Sequence, residues 1–250
     1  MTGGTSRRPK YETIADVLRA AIDAGKYQPG DRLPGENPLA AEHGVAVMTA
    51  RQALNALKSE GLVESRRGAG FFVRSFRPIR RRSIARLSRE QWGAGASIFS
   101  ADDNRPLTAE NEVLGAVVPP EAVAAVLGVG PGDRVFARSR RHIVDGRPVL
   151  LSTSYLPYDL VVGSAITQSD TGPGGIYARL AELGSGPTRF REELRVRMPS
   201  SDDAVGLHLS SSTPVIKICR TAYTEDGQAV EVNEMTLDSL AYVLEYDFEA

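Results

Sequence analysis

Residues Ala46–Val73, AVMTARQALNALKSEGLVESRRGAGFFV, decide how this chain is read. Ala50, Ala53, Leu54 and Leu57 recur at the three- and four-residue spacings that line one face of a helix. Thr49, Arg51, Gln52 and Asn55 fall largely on the opposite face, and all four can reach phosphates or base edges. Gly61 ends the helix, because glycine accepts the positive φ required there. Leu62–Glu64 and Phe71–Val73 then pair as short strands around Ser65-Arg66-Arg67-Gly68-Ala69-Gly70. Two arginines on a glycine-rich tip suit a narrow groove or a phosphate. An ordinary amphipathic helix followed by a hairpin would show the same pattern, so the neighbouring sequence has to arbitrate.

Working outward, residues 1–10 are polar and expected to be mobile. Thr13–Ala24 reads as a helix with Ile14, Val17, Leu18, Ala21 and Ile22 as its stripe, and Gly25 closes it. Tyr27–Pro34 is a turn-rich loop. A second helix runs from near Glu36 to about His43, and Gly44 supplies the turn into the third. Three helices and a hairpin within roughly 65 residues are the anatomy of a winged helix-turn-helix. The expected organisation is a head over 11–74, mainly α with a β-wing, a basic linker over 75–90, and a second domain over 91–250.

Charge supports that division. The net charge of −1 is the sum of two unlike parts. Residues 1–86 carry 16 Lys+Arg against 8 Asp+Glu, and the remainder carries 14 against 23. A basic part on an acidic body is the footprint of a nucleic-acid-binding head. The linker, RSFRPIRRRSIARLSREQ, contains Pro78 and a run of arginines, which argues for a solvated spacer or direct phosphate contact rather than a buried element. The single cysteine, Cys219, excludes an internal disulfide and multi-cysteine metal sites, and it fits a reducing cytoplasm. No apolar run is long enough for a bilayer, and the N-terminus lacks a secretory h-region. No cofactor motif, metal-ligand spacing or nucleophile–base pair stands out.

The second domain reads as α+β. Val113–Val118, Val135–Val144, Pro148–Leu156, Arg189–Met198, Val215–Tyr223 and Ala229–Leu237 are strand-like, and Tyr242–Phe248 is expected to close the sheet. Asp145-Gly146 and Glu225-Asp226-Gly227 mark hairpins. Pro120–Leu127, Ile176–Leu183 and Ser201–Leu207 read as helices. Trp92 with Phe99 anchors the start of the domain. Asp170-Thr171-Gly172-Pro173-Gly174-Gly175 leads into a helix N-terminus. Its backbone N–H groups either cradle an anion or simply form a turn.

Tyr11–Val73 resembles the DNA-binding domain of the GntR family of bacterial transcription regulators. The matching residues include Gly30-Asp31-Arg32-Leu33-Pro34, Glu36, Leu39-Ala40, Gly44-Val45, Thr49, Arg51-Gln52-Ala53-Leu54, Glu60-Gly61-Leu62-Val63 and Gly68-Ala69-Gly70-Phe71-Phe72-Val73. The resemblance implies a third helix in the major groove and a wing in the minor groove. It implies DNA contacts from Arg32, Glu36, Thr49, Arg51, Gln52, Arg66, Arg67 and Gly68. Asn37 and Val47 stand where the family commonly has arginine, so operator preference is expected to differ from its commonest sites. Val47 cannot make the bidentate contact to guanine that arginine makes.

Gln91–Ala250 resembles the effector-binding UTRA domain of the HutC subfamily, a chorismate lyase-like antiparallel-sheet fold. Arg140 to Pro148, Ser154-Tyr155-Leu156-Pro157, Tyr177-Ala178-Arg179-Leu180, Arg220–Tyr223, Asp226-Gly227 and Val230-Glu231 carry the match. It implies a homodimer on a near-palindromic double-stranded operator, with a small, often anionic effector in the second domain. Arg140 matches a ligand arginine and Glu231 a pocket carboxylate. Ser154, Tyr155, Tyr177, Arg191, Gly172, Gly174 and Gly175 complete the candidates. His142 stands in place of a second ligand arginine and Ser152 in place of a glutamate, which argues against an amino-sugar-phosphate effector. The reading is a repressor in the bacterial cytoplasm, associated with the nucleoid. Two alternatives stay open: a dimeric regulator without an effector, and an enzyme that uses the lyase-like domain on a carboxylate.

Overall fold

In the computed structural model, which describes residues 8–66 and 68–248, the chain divides into two units, residues 1–77 and 78–250. In the first unit, α1 spans Lys10–Asp23, α2 Glu36–His43 and α3 Val47–Ser59. Ile14, Ala15 and Leu18 bury one stripe of α1, and Ala50, Ala53, Leu54 and Leu57 bury one face of α3 completely. Apolar side chains at i, i+3 and i+4 leave no other economical packing. Gly44 sits in the left-handed region at φ 58°, which turns the chain sharply between α2 and α3. β1 (Val63–Arg66) and β2 (Gly70–Val73) form the wing, with Val63 opposite Val73. The loop before α2 adds to it, since Leu33 N–H donates to the Phe71 carbonyl and Val73 N–H to the Asp31 carbonyl, both at 2.8 Å. Leu33, Leu39, Leu54, Leu57, Val63 and Val73 thus share one core.

The second unit opens with β3 (Ile79–Arg82), followed by α4 (Arg89–Gly93), β4 (Leu107–Val117), α5 (Glu121–Leu127), β5 (Val135–Val144) and β6 (Arg147–Pro157). After it come α6 (Tyr158–Val161), α7 (Gly175–Glu182), β7 (Arg189–Arg197), α8 (Ser201–Gly206), β8 (Val215–Tyr223), β9 (Ala229–Asp238) and β10 (Tyr242–Glu245). Six strands form an antiparallel sheet in the order β4-β5-β6-β9-β8-β7. The period-two alternation of strands sends consecutive residues to opposite faces. Val135, Tyr155 and Val232 pack on one side with Val123 and Leu127 of α5. Phe136, Leu156 and Val230 pack on the other with Trp92 and with Tyr177 and Leu180 of α7. Asp145 and Gly146 take the positive φ values, 52° and 72°, of a tight hairpin between β5 and β6. α8 starts with a capping box between Ser200 and Asp203.

Two expectations are corrected. The segment 75–90 is not a solvated spacer, because Ile79–Arg82 forms a strand that pairs parallel with β10, Ile79 opposite Tyr242 and Arg82 opposite Glu245. Ile79, Arg81, Ser83, Arg86 and Leu87 are buried within it. Charge is tolerated there because each guanidinium meets a carboxylate: Arg81 grips Glu192 through both Nη atoms, and Arg86 lies 2.8 Å from Asp102. For the same reason β10 does not close the main sheet. It pairs with β3 in a separate two-stranded sheet. Of residues 1–10, expected to be mobile, Pro9 caps α1 and Lys10 is its first residue, while residues 1–7 lie outside the described residues.

Candidate nucleic-acid interface and ligand pocket

The exposed side of α3 carries Val47, Arg51 and Gln52, with Thr49 half-buried at its first turn. Asn37 is exposed on α2, and Arg32 on the loop before it. Arg51 Nε donates to Glu36 Oε1 at 2.8 Å, which raises the guanidinium pKa and fixes the side chain across the gap between α2 and α3. The Arg32 guanidinium lies over Gly70, where a Cβ would come within 3.3 Å of Nε. Arg66 stacks on the Phe72 ring, 4.2 Å from its centroid, and pairs with Glu64 at 2.9 Å. Gly68 lies exposed at the wing turn, with φ 73°. Arg67 lies outside the described residues. Both paired arginines, Arg51 and Arg66, are held by carboxylates of the same unit.

In the second unit a cavity of about 450 Å³ lies against the helical face of the sheet. Alternation along β5 aims Arg138, Arg140 and His142 into it. β6 contributes Ser152 and Ser154, β9 contributes Glu231, Asn233 and Met235, and β8 contributes Arg220. Residues 170–177, at the start of α7, form a wall. The register shifts between Ala222 and Tyr223, so Val230 is an extra residue and both Val230 and Glu231 face the helices.

The cations differ in what they already hold. Arg138 donates to the carbonyls of Ile166, Gln168 (2.5 Å) and Ser169 (3.2 Å), and so pins that loop. Arg140 has buried Nε and Nη2 atoms without a hydrogen-bond partner. Arg220 lacks hydrogen-bond partners at Nε and Nη1, the latter 4.0 Å from Glu192 Oε1, Arg86 lacks one at Nε, and Asn233 at Oδ1. Burial lowers the Arg140 pKa, against the opposing charges of Asp170 and Glu231. Burial also works against Arg220, but Tyr177, Glu231, Glu192 and Asp102 outweigh it and raise its pKa. Arg86, buried and beside Arg81, is lowered to about 10 although Asp102 opposes the shift. It therefore keeps its charge at neutral pH. Tyr177 donates to Glu231 Oε2 at 2.7 Å; burial raises its pKa far above the ordinary value, and Glu231 reinforces this against Arg220. His142 meets Ser152 at 2.9 Å through Nε2, and its pKa is lowered to about 3 by burial and then by Arg140 and Arg86. The two positions that depart from the family pattern are therefore bonded to each other.

Of the eleven residues expected at the ligand, Arg140, His142, Ser152, Ser154, Gly172, Gly174, Gly175, Tyr177 and Glu231 line the cavity. Tyr155 and Arg191 do not. Tyr155 is one residue out of phase with Ser154 and packs toward α5, while Arg191 is exposed on the edge strand β7 and pairs with Glu193. The glycine-rich loop is not a cradle of free donors either: Gly172 N–H bonds Asp170 Oδ1, Gly174 N–H the Gly95 carbonyl, and Gly175 N–H the Gly172 carbonyl. Its glycines serve the turn. At Gly174, with φ 77°, a Cβ would lie 2.4 Å from the Trp92 carbonyl oxygen. Arg86, Arg138 and Asn233 line the cavity without a signal in the sequence, and Arg220, which carries part of the resemblance, lines it although no ligand role was expected of it. Among the described residues no group of three or more His, Cys, Asp or Glu could hold a metal, and no helix is long and apolar enough to cross a membrane.

The model for bacterial regulatory proteins of the gntR family matches residues 10–73, and that for the UTRA domain matches residues 104–242. An uncharacterised HTH-type transcriptional regulator of Streptomyces coelicolor is 31% identical over 97% of this chain and 94% of its own length. The HTH-type transcriptional repressor NagR of Bacillus subtilis is 28% identical, over 89% and 88%. The mannosyl-D-glycerate transport/metabolism system repressor MngR of Escherichia coli is 26% identical, over 94% of each. A crystal structure of a GntR-family transcriptional regulator superimposes with a TM-score of 0.63 at 26% identity, over 97% of this chain and 98% of that one. PhnF from Mycobacterium smegmatis gives 0.57 at 25%, over 95% and 99%. These relatives are regulators, which sets the lyase reading aside. With a wing-bearing head and an antiparallel UTRA-type sheet both matched, and a relative aligned along nearly all of its length, the chain belongs to the GntR family of bacterial regulatory proteins and is a DNA-binding transcriptional regulator with a UTRA domain.

Proposed function

We propose that the chain is a homodimeric repressor of the HutC type, working on nucleoid DNA in the cytoplasm, and that a small hydroxylated anion bound in the second unit lowers its operator affinity. The observation that carries this is the set of buried guanidinium nitrogens without a hydrogen-bond partner, on Arg140, Arg220 and Arg86, around one cavity. Buried donors of this kind are costly unless something accepts from them. An anion supplies the acceptors, and the Ser152, Ser154 and Asn233 side chains and the Glu231 carboxylate suit hydroxyl groups. A regulator without an effector would not need such convergent polar groups. Two heads would read two half-sites of a near-palindrome through α3 and the wing. Ligand release of DNA requires only that the anion bind more tightly to the conformation with mismatched heads.

The test starts with selection of genomic fragments by the purified chain. The selected operator is then followed by fluorescence anisotropy while anionic metabolites are titrated, beginning with sugar phosphates and sugar carboxylates. Mannosyl-D-glycerate belongs in the first set, since a relative bears its name and it joins a carboxylate to a polyol. An anion that releases DNA from the wild type but not from Arg140→Ala supports the reading. Fragments without a shared palindrome, or anions that act equally on both proteins, refute it.

A further inference from the structure

The first turn of α3 is built unlike an ordinary exposed helix start. Its N-cap is Ala46, with no side-chain hydrogen bond to the turn, and the turn carries no acidic residue. Helix starts favour an oxygen-bearing cap and carboxylates. Here the chain places Val47 and Met48 instead, 44% and 59% exposed. Neither packs into the head's core, which takes Ala50, Ala53, Leu54 and Leu57 from the other side of the helix. One turn further along the same exposed side stand Arg51 and Gln52, and Asn37 is exposed on α2. Two large apolar side chains are thus held in water at the front of a polar, cation-bearing surface. A carboxylate there would repel phosphate; an apolar group would not.

We propose that Val47 and Met48 read the 5-methyl groups of thymine in the major groove, so that the operator half-site carries thymine where the first turn of α3 meets the base edges. The thymine methyl is the one apolar feature a base pair presents in that groove, and apolar side chains are its complement. Gln52 offers the amide that pairs bidentately with adenine, so the two readings combine into an A·T-selective face. This rests on the reading that α3 enters the major groove, and the experiment separates the two.

The operator selected by the full chain is resynthesised with deoxyuridine in place of thymine, one position of each half-site at a time. Deoxyuridine keeps every hydrogen bond and removes only the methyl. At the positions met by the first turn the affinity should fall about fourfold per methyl, or roughly fifteenfold for two symmetric half-sites. The variant Val47→Ser/Met48→Ser should bind the thymine operator as weakly as wild type binds the deoxyuridine one, and should lose nothing more on deoxyuridine. Where a cytosine replaces the thymine, 5-methylcytosine should recover part of the lost affinity. If deoxyuridine costs nothing at any position while Gln52→Ala or Arg51→Ala weakens binding, α3 reads DNA but these side chains do not read methyls, and the proposal falls. If all four substitutions leave binding unchanged, α3 is not in the groove and the wider reading falls with it.

Discussion

Replacing Glu192 by glutamine tests how the buried arginines of β3 are held. The Arg81 and Glu192 side chains are 1% and 9% exposed, and the pair is bidentate, with Arg81 Nη1 also donating to Ser83 Oγ at 2.5 Å. Glutamine nearly preserves shape and one acceptor but leaves a guanidinium in the interior without its counter-charge. Breaking such a pair from one side costs about 3–5 kcal/mol. For a unit of this size that lowers Tm by about 6–20 °C. Trp92 is the only tryptophan, is 2% exposed, and donates Nε1–H to the Leu87 carbonyl at 3.2 Å, so its fluorescence follows the unfolding of this unit. Burial works to raise the Glu192 pKa, but Arg81, Arg220 and Arg86 hold it below the ordinary carboxylate value. The carboxylate therefore contributes its stability above the unfolded pKa and loses it as pH falls through the folded one, and the deficit of the variant should shrink on acidification. The double variant Arg81→Met/Glu192→Leu, which removes both charges, should recover most of the loss. A single variant within about 1 kcal/mol of wild type, or a double variant no better than the single, refutes the reasoning.

Three further outcomes follow from the pocket. Gly174→Ala adds a Cβ 2.4 Å from the Trp92 carbonyl oxygen and 2.5 Å from the Ala178 Cβ at a positive φ. It should cost at least about 1–3 kcal/mol and weaken anion binding, measured by calorimetry. Arg140→Ala removes charge-assisted donors that lack a protein partner, so anion Kd should rise about 10- to 150-fold while thermal stability without ligand is unchanged or higher. His142 has a folded pKa near 3, below its ordinary value. As pH falls below about 6.5 the unfolded chain takes a proton the folded one refuses. Stability should thus drop by about 2–3 kcal/mol by about pH 4.5, and His142→Gln should show a smaller drop.

The head was legible because its signals are local. The α3 stripe, the glycine turn and the short hairpin all lie within a few residues of what they specify, and α2 falls at Glu36–His43 as its punctuation implies. The pocket was legible in part for a related reason. Once Arg140 is placed, alternation carries His142, Ser152 and Ser154 to the same face, and the same rule sends Tyr155 to the other. Arg220 and Asn233 come from strands paired only through the tertiary fold, and Arg86 from a segment that composition assigns to solvent. Arginine reads as a surface residue until its partner is known, and Glu192 stands 111 residues beyond Arg81. The bulge at Val230 is likewise invisible to period-two reasoning.

The pairing of β3 with β10 also sets a schedule for synthesis. The head lies wholly in the first 77 residues and can fold as soon as it clears the ribosome. The strand that follows completes its backbone pairing only with Tyr242–Glu245, and the Glu245 carboxylate that Arg80 and Arg82 share stands 165 residues beyond Arg80. Each nascent chain therefore carries its DNA-binding head well before the strand that clasps the second unit has been made. A message truncated before codon 242 would release a regulator whose second unit lacks its clasp.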